Sequence, residues 1–105
     1  MRIRKDNDEI LDDEVSLMAQ CSDALAHPAR IRMFRHIMAC NKSLARVCNK
    51  DLVGTFDYSQ ATISQHIKKL ITSGLVNAKR EDRYTYYYAN IGTLMKYLDV
   101  TKKFE

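Results

Sequence analysis

The chain has no tryptophan, one proline, three glycines and three cysteines among 105 residues. Each scarcity removes a class of protein. The glycines stand apart at Gly54, Gly74 and Gly92, so no glycine-rich loop is available to cradle a phosphate. An odd number of cysteines without paired spacing does not make a disulfide framework, and a cytoplasmic protein with reduced thiols is the simplest reading. No apolar run approaches the roughly 20 residues of a membrane-spanning helix. The first residues, Met1-Arg2-Ile3-Arg4-Lys5-Asp6, are too charged for the apolar centre of a signal peptide, so no membrane partner is expected. No Ser/His/Asp set sits in a recognisable motif, and carboxylates cluster only near the start of the chain. An enzyme is not expected.

What is present is a single domain, residues 1–105, long enough for a modest core and marginal by itself. Dimerisation is a common way for such a chain to gain stability. The formal net charge of +4 is unevenly spread: residues 1–29 carry −4 and residues 30–105 carry +8. Between Arg30 and Lys50 there are six basic residues and no acid. A basic body behind an acidic lead suits a polyanionic partner; the plainer alternative is an imbalance without a partner.

The most informative stretch runs from Tyr58 to Gly74. Ser59 is a good N-cap, because its hydroxyl accepts from a first-turn amide that has no partner inside the helix. Ile63, Ile67, Leu70 and Ile71 form one apolar stripe at helical spacing. Ala61, Gln65, Lys68 and Thr72 point the other way, with Thr62, Ser64 and Lys69 on the flanks. Gly74 stands where a left-handed cap ends the helix. A face of small hydroxyls, an amide and lysines matches a major groove, where base edges and phosphates are both within reach. An ordinary solvated helix face is the competing reading.

The neighbours decide between the two. A first helix is expected over about 8–25, with Leu11, Val15, Met18, Cys21 and Leu25 as its stripe and acids in its first turns. Pro28 opens a second helix to about Cys40, burying Ile31, Phe34, Ile37 and Met38 and leaving Arg30, Arg32 and Arg35 largely outside or on its edges. Residues 43–47 alternate as a short extended segment. A short third helix to about Phe56 turns Leu52 and Val53 inward and leads through a tight connection into the helix after Ser59, which makes a helix-turn-helix. Beyond Gly74 the period changes to two: 75–80 and 84–89 form a hairpin with the charged tip Glu81-Asp82-Arg83. Tyr84, Tyr86 and Tyr88 share one of its faces, Thr85, Tyr87 and Ala89 the other. A last helix over about 91–104 turns Leu94, Tyr97, Leu98 and Thr101 to one side.

The expected fold is therefore mainly α with a small β-hairpin: a winged helix-turn-helix of five helices and a two-stranded wing. In that arrangement one helix fills the major groove and the wing reaches a flanking backbone or the minor groove. The expected DNA-binding residues are Ala61, Thr62, Ser64, Gln65 and Lys68 of the helix, with Lys79, Arg80 and Arg83 of the wing as phosphate partners. Glu81 and Asp82 oppose very close approach at the tip. Stacking of single-stranded bases on the tyrosines is the weaker alternative, since four of the six lie in one strand where packing accounts for them.

Four stretches in order, residues 24–34, 59–70, 73–76 and 79–88, resemble the arsenic-repressor (ArsR/SmtB) family of bacterial transcriptional regulators. The likeness runs from about residue 15 to residue 98. It implies a homodimer whose first and last helices form the interface, and a repressor that releases an inverted-repeat operator on sensing a signal. It also implies that Gln60, Ala61, Ser64 and Gln65 contact bases and phosphates. His66 follows the family motif as well, but its angle places it at the edge of the buried stripe, where a structural role is expected.

The departures from that pattern concern sensing. Metal-sensing members carry a Cys-x-Cys pair before Asp-Leu; this chain reads Cys48-Asn49-Lys50-Asp51-Leu52, with a lysine in place of the second thiol. A like-charged ammonium is a poor neighbour for a cation. The last helix has Asp99 and no histidine. Three further ligand candidates remain, His36, Cys40 and Cys48, which would suit zinc or a softer ion. Cys40 and Cys48 as a redox pair is another reading, and buried core thiols is the plainest. No cofactor is expected. A winged-helix module that docks on an acidic protein, without specific DNA binding, is the alternative from another functional class.

Overall fold

The computed structural model describes residues 9–105. In chain order they form α1 (Asp12–Ala24), α2 (Pro28–Lys42), α3 (Asn49–Thr55), α4 (Gln60–Thr72), β1 (Val76–Glu81), β2 (Tyr84–Ala89) and α5 (Ile91–Thr101), which a 3-10 turn prolongs over Lys102–Phe104. The two strands pair antiparallel, from Val76 opposite Ala89 to Glu81 opposite Tyr84. This is the winged helix-turn-helix expected from the sequence.

Helix ends follow local chemistry. The Ser59 hydroxyl accepts from the Thr62 amide at 3.2 Å and starts α4. Gly74 adopts φ 87°, the left-handed conformation that only glycine takes without strain, and turns the chain into β1. The expected start of α1 at Asp8 lies outside the described residues. Residues 9–11 are not helical, because the Glu14 carboxylate accepts from the Leu11 amide at 3.0 Å and fixes the first turn at Asp12. At the other side, α2 continues past Cys40 to Lys42. The Ser43 hydroxyl then donates to the carbonyl oxygens of Cys40 and Ala39, and Leu44 turns away at φ 64°. The extended segment expected over 43–47 reduces to one bridge, Cys48 with Tyr86, and a bond from the Tyr87 amide to the Val47 carbonyl oxygen at 2.8 Å.

The core joins α2, α3, α4 and the root of the wing. Met33, Ile37, Leu52, Ile63, Leu70 and Leu75 are fully buried, each such side chain contributing about 1.5–3 kcal/mol through removal from water. One expectation about phase is wrong: Ile31 is 45% exposed, because the inward face of α2 runs through Ala29, Met33, Phe34 and Ile37. In α5 Val100 is buried and Leu98 is 47% exposed. Among the described residues no helix is long and apolar enough to cross a membrane.

Candidate nucleic-acid interface

With Ile63, Ile67 and Leu70 sunk in the core, α4 is anchored along one side and its opposite side is forced into solvent. Gln60, Ala61, Ser64, Gln65 and Lys68 are all exposed there. Thr62 is only half-exposed, and its hydroxyl oxygen accepts from the Ser59 hydroxyl at 3.0 Å, so it is engaged in the cap. Ile71, counted with the apolar stripe, sits at its rim with 37% exposure.

Two shallow clefts flank this ridge. In one, Gln60 and Ser64 meet Asn49 and Lys50 from the start of α3 and Arg83 and Thr85 from the wing. The helix and the wing are therefore brought to a single surface. In the other, Gln65 and Lys68 face Gln20 and Asp23 of α1, and Lys69 pairs with Asp23 at 3.1 Å. Asn49 and Lys50 were not foreseen. The Asn49 side-chain amide approaches the Ser64 hydroxyl at 3.5 Å, while its own Oδ1 is buried without a partner among the described residues.

The wing presents Lys79, Arg80 and Arg83 to solvent. Its tip is a two-residue loop in which Asp82 takes φ 57°, a conformation that Asp tolerates better than most residues. Of the two acids expected to oppose DNA, Glu81 is neutralised: Arg46 Nη2 reaches its carboxylate at 2.8 Å. The same guanidinium lies over the Tyr86 ring, 3.9 Å from the centroid, and so ties the segment before α3 to the wing near its tip. Such a clasp between residues far apart in the sequence leaves no periodic trace in it.

His66 sits beneath the ridge, half-buried as expected. Arg30, at the edge of α2 and half-buried, is the organiser there, a role that its position alone does not announce. Its Nε donates to the Ala24 carbonyl oxygen at 2.7 Å and its Nη2 to the Asp23 carbonyl oxygen at 3.1 Å, capping the end of α1. Its Nη1 lies 3.3 Å from His66 Nδ1, which must accept because a guanidinium only donates. His27 stacks at 4.8 Å from His66, and its own Nδ1 accepts from the Ala29 amide. Burial, then the neighbouring His27 and Arg30, hold the His66 imidazole below its ordinary pKa.

The three ligand candidates are not brought together. His36 Nε2 and Cys40 Sγ meet at 3.5 Å, but Cys48 stands at the start of α3 beside β2. Among the described residues no three His, Cys, Asp or Glu side chains are placed to hold a metal ion. The thiols of Cys21, Cys40 and Cys48 are all free; Cys21 is buried, which raises its pKa.

Comparison with known proteins bears on this surface directly. Residues 43–78, from the turn after α2 into β1, match the model of a bacterial regulatory protein family, the arsR family. The chain is also similar to a Halobacterium salinarum protein named as an arsenical resistance operon repressor, ArsR2, with 31% identity over 75 residues. That match takes in 71% of this chain but spans only 60% of the relative's length. Among solved structures, an ArsR-like transcriptional regulator from Rhodococcus sp. RHA1 is similar with a TM-score of 0.76 at 20% identity, over 88% of this chain and 82% of its own. A homodimeric winged helix-turn-helix DNA-binding domain from Mycobacterium bovis follows with a TM-score of 0.65 at 20% identity, over 96% and 87%. At such identities the structural likeness speaks for the fold.

Proposed function

We propose that this chain, which belongs to the arsR family of bacterial regulatory proteins, is a cytoplasmic homodimer that binds an inverted repeat in duplex DNA and represses transcription until a signal releases it. The observation that carries the reading is the junction of α4 and the wing. A helix buried along one side offers glutamines, a serine and a lysine on the other, and the wing's arginine opens onto the same cleft.

The chemistry assigns roles. Gln65 and Gln60 have the paired donor and acceptor that recognise adenine in the major groove, Ser64 bonds to any base edge, and the Ala61 methyl packs on a thymine methyl. Lys68, Lys79, Arg80 and Arg83 neutralise phosphates and fix register. Thr62 contributes through the cap. The dimer is supported by α1 and α5, where Leu11, Val15, Ile91, Met95 and Leu98 are 47–60% exposed. Those helices are held together by Ser22 and Tyr97 at 3.0 Å and by Glu14 and Lys103 at 2.8 Å. Two copies joined through that apolar face present two α4 helices by two-fold symmetry, and the operator mirrors it. The repressor role follows the name of the Halobacterium relative.

Selection of bound duplexes from a random library tests the whole reading. Enrichment of an inverted repeat, bound with an affinity that falls steeply as salt rises, is expected. Failure to bind any duplex at low salt sinks it and favours docking of an acidic protein on the same surface.

A further inference from the structure

A second feature shares no residue with α4 or the charged wing, and only Ile91 with the proposed dimer face. It is a cleft of about 630 Å³ between α2, the end of β2 and the start of α5, within the size range of small-molecule sites. One wall is a single face of α2: Arg35, Met38, Ala39 and Lys42 follow one another at i, i+3, i+4 and i+7. The facing wall is Ala89 and Ile91. The walls are locked together, because Asn41 Oδ1 accepts from the Ala89 amide at 2.8 Å and its amino group reaches the Tyr87 carbonyl oxygen at 3.5 Å. The cleft is thus formed before any ligand arrives.

Its chemistry is selective. The floor is apolar and only partly covered: Met38 and Ala89 are half-buried and Ile91 is 49% exposed. Its two charged groups are both cations, and no carboxylate lines it. Among the described residues, neither Arg35 nor Lys42 forms an ion pair. The sequence around them, from Arg30 to Lys50, contains no acid that would compensate. Unpaired cations at the two ends of an apolar, preformed trough favour a ligand with an anionic group and an apolar body.

We infer that this cleft binds small amphipathic organic anions, carboxylates with an alkyl or aromatic body, the anionic group held by Arg35 and Lys42 and the body lying across Met38, Ala89 and Ile91. Occupancy has a route to the DNA-binding face. The Asn41 bonds tie the cleft to β2 of the wing, and Ile91 opens α5, the helix of the proposed dimer. A ligand wedged between α2 and these two elements shifts the wing and the pairing of the two α4 helices together. This link to regulation rests on the proposed DNA-binding reading; the binding site does not.

The experiment uses the full chain and two probes, decanoate below its micelle concentration and 2-naphthoate, titrated calorimetrically without DNA. Saturable binding of at least one probe is expected, with decanol and decyltrimethylammonium binding weaker by about ten-fold or more, the loss expected when an anion's charged hydrogen bonds go unmade. Arg35→Gln with Lys42→Gln, both solvent-exposed, is expected to lower carboxylate affinity by a similar factor, and an unchanged melting temperature shows that the variant is folded. No saturable binding of either carboxylate overturns the inference, as does equal binding of decanol or an unaffected double variant. A second arm repeats DNA binding with and without the bound probe. If DNA binds and the probe leaves its affinity unchanged, the regulatory link is overturned. If no DNA binds at all, the DNA-binding reading fails while the calorimetric result stands.

Discussion

The two ends of this molecule treat their apolar residues in opposite ways. In α4 most of the stripe is spent inside the chain: Ile63, Ile67 and Leu70 are no more than 2% exposed, and apart from Ala61 and Ile71 at the rim what remains outside is polar and cationic. In α1 and α5 the apolar residues are left over, with Met95 60% and Leu11 57% exposed. A surface of the first kind is suited to a charged, hydrated partner, and one of the second kind to an apolar partner such as a second copy of itself. The difference teaches that amphipathic periodicity marks a helix but not what covers it.

The largest effects should separate the ends outright. Ile67→Ala removes a buried side chain from α4 and should cost about 2–5 kcal/mol of stability, measured by urea unfolding. Met95→Glu with Leu98→Glu should leave the fold's circular dichroism intact, since both side chains are exposed within one chain. It should turn the protein monomeric by light scattering and lower affinity for an inverted repeat by about 100-fold or more through lost bivalency. A double variant that stays dimeric would remove the contrast between the ends.

Smaller effects sharpen the contrast within the proposed DNA-binding end. Gln65→Ala should cost about 1–3 kcal/mol at the preferred sequence and much less on random duplex; equal losses on both would argue against base reading. Arg83→Ala should weaken both alike and reduce the slope of log affinity against log salt by about one. An unchanged slope would remove Arg83 from the phosphate contacts.

Legibility followed the reach of each signal. Ser59 and Gly74 act within a few residues of themselves, and the alternating tyrosines set their own period, so α4 and the wing were readable directly. The phase of α2 was misjudged because Ile31 and Met33 are equally apolar, and only packing on α4 decides which of them turns inward. Arg46 with Glu81, Arg30 with His66, and Asn49 with Ser64 are pairs 35, 36 and 15 residues apart in the chain, and nothing local announces them. The stripe of α1 is legible from its spacing, but its burial is not: of its five members only Cys21 is fully buried, while Leu11 and Val15 are 57% and 47% exposed.

The most delicate effect concerns the hinge between the two ends, where Arg30 holds the last carbonyl oxygens of α1 and faces His66 under α4. His66 Nδ1 accepts from Arg30, so a proton there would remove an acceptor and set a second cation against the guanidinium. His27 offers no relief, since its Nδ1 is occupied by the Ala29 amide, and Tyr58 meets the imidazole edge-on at 5.9 Å. Folding therefore favours neutral His66 and depresses its pKa. As pH falls below the ordinary histidine value of about 6.5, the unfolded chain takes up a proton before the folded one, and stability declines through that window. Glu14 acts in a lower one: its carboxylate is held below the usual range, first by the Leu11 amide and then by Lys103. Its contribution is present above that range and is lost only as pH falls through the depressed value. Melting temperatures recorded from about pH 7 to pH 5 should thus fall for the native chain, whereas His66→Gln, which keeps an acceptor for Arg30 but cannot titrate, should show a flatter profile. Parallel profiles would mean that His66 packs between the two ends without linking their stability to pH.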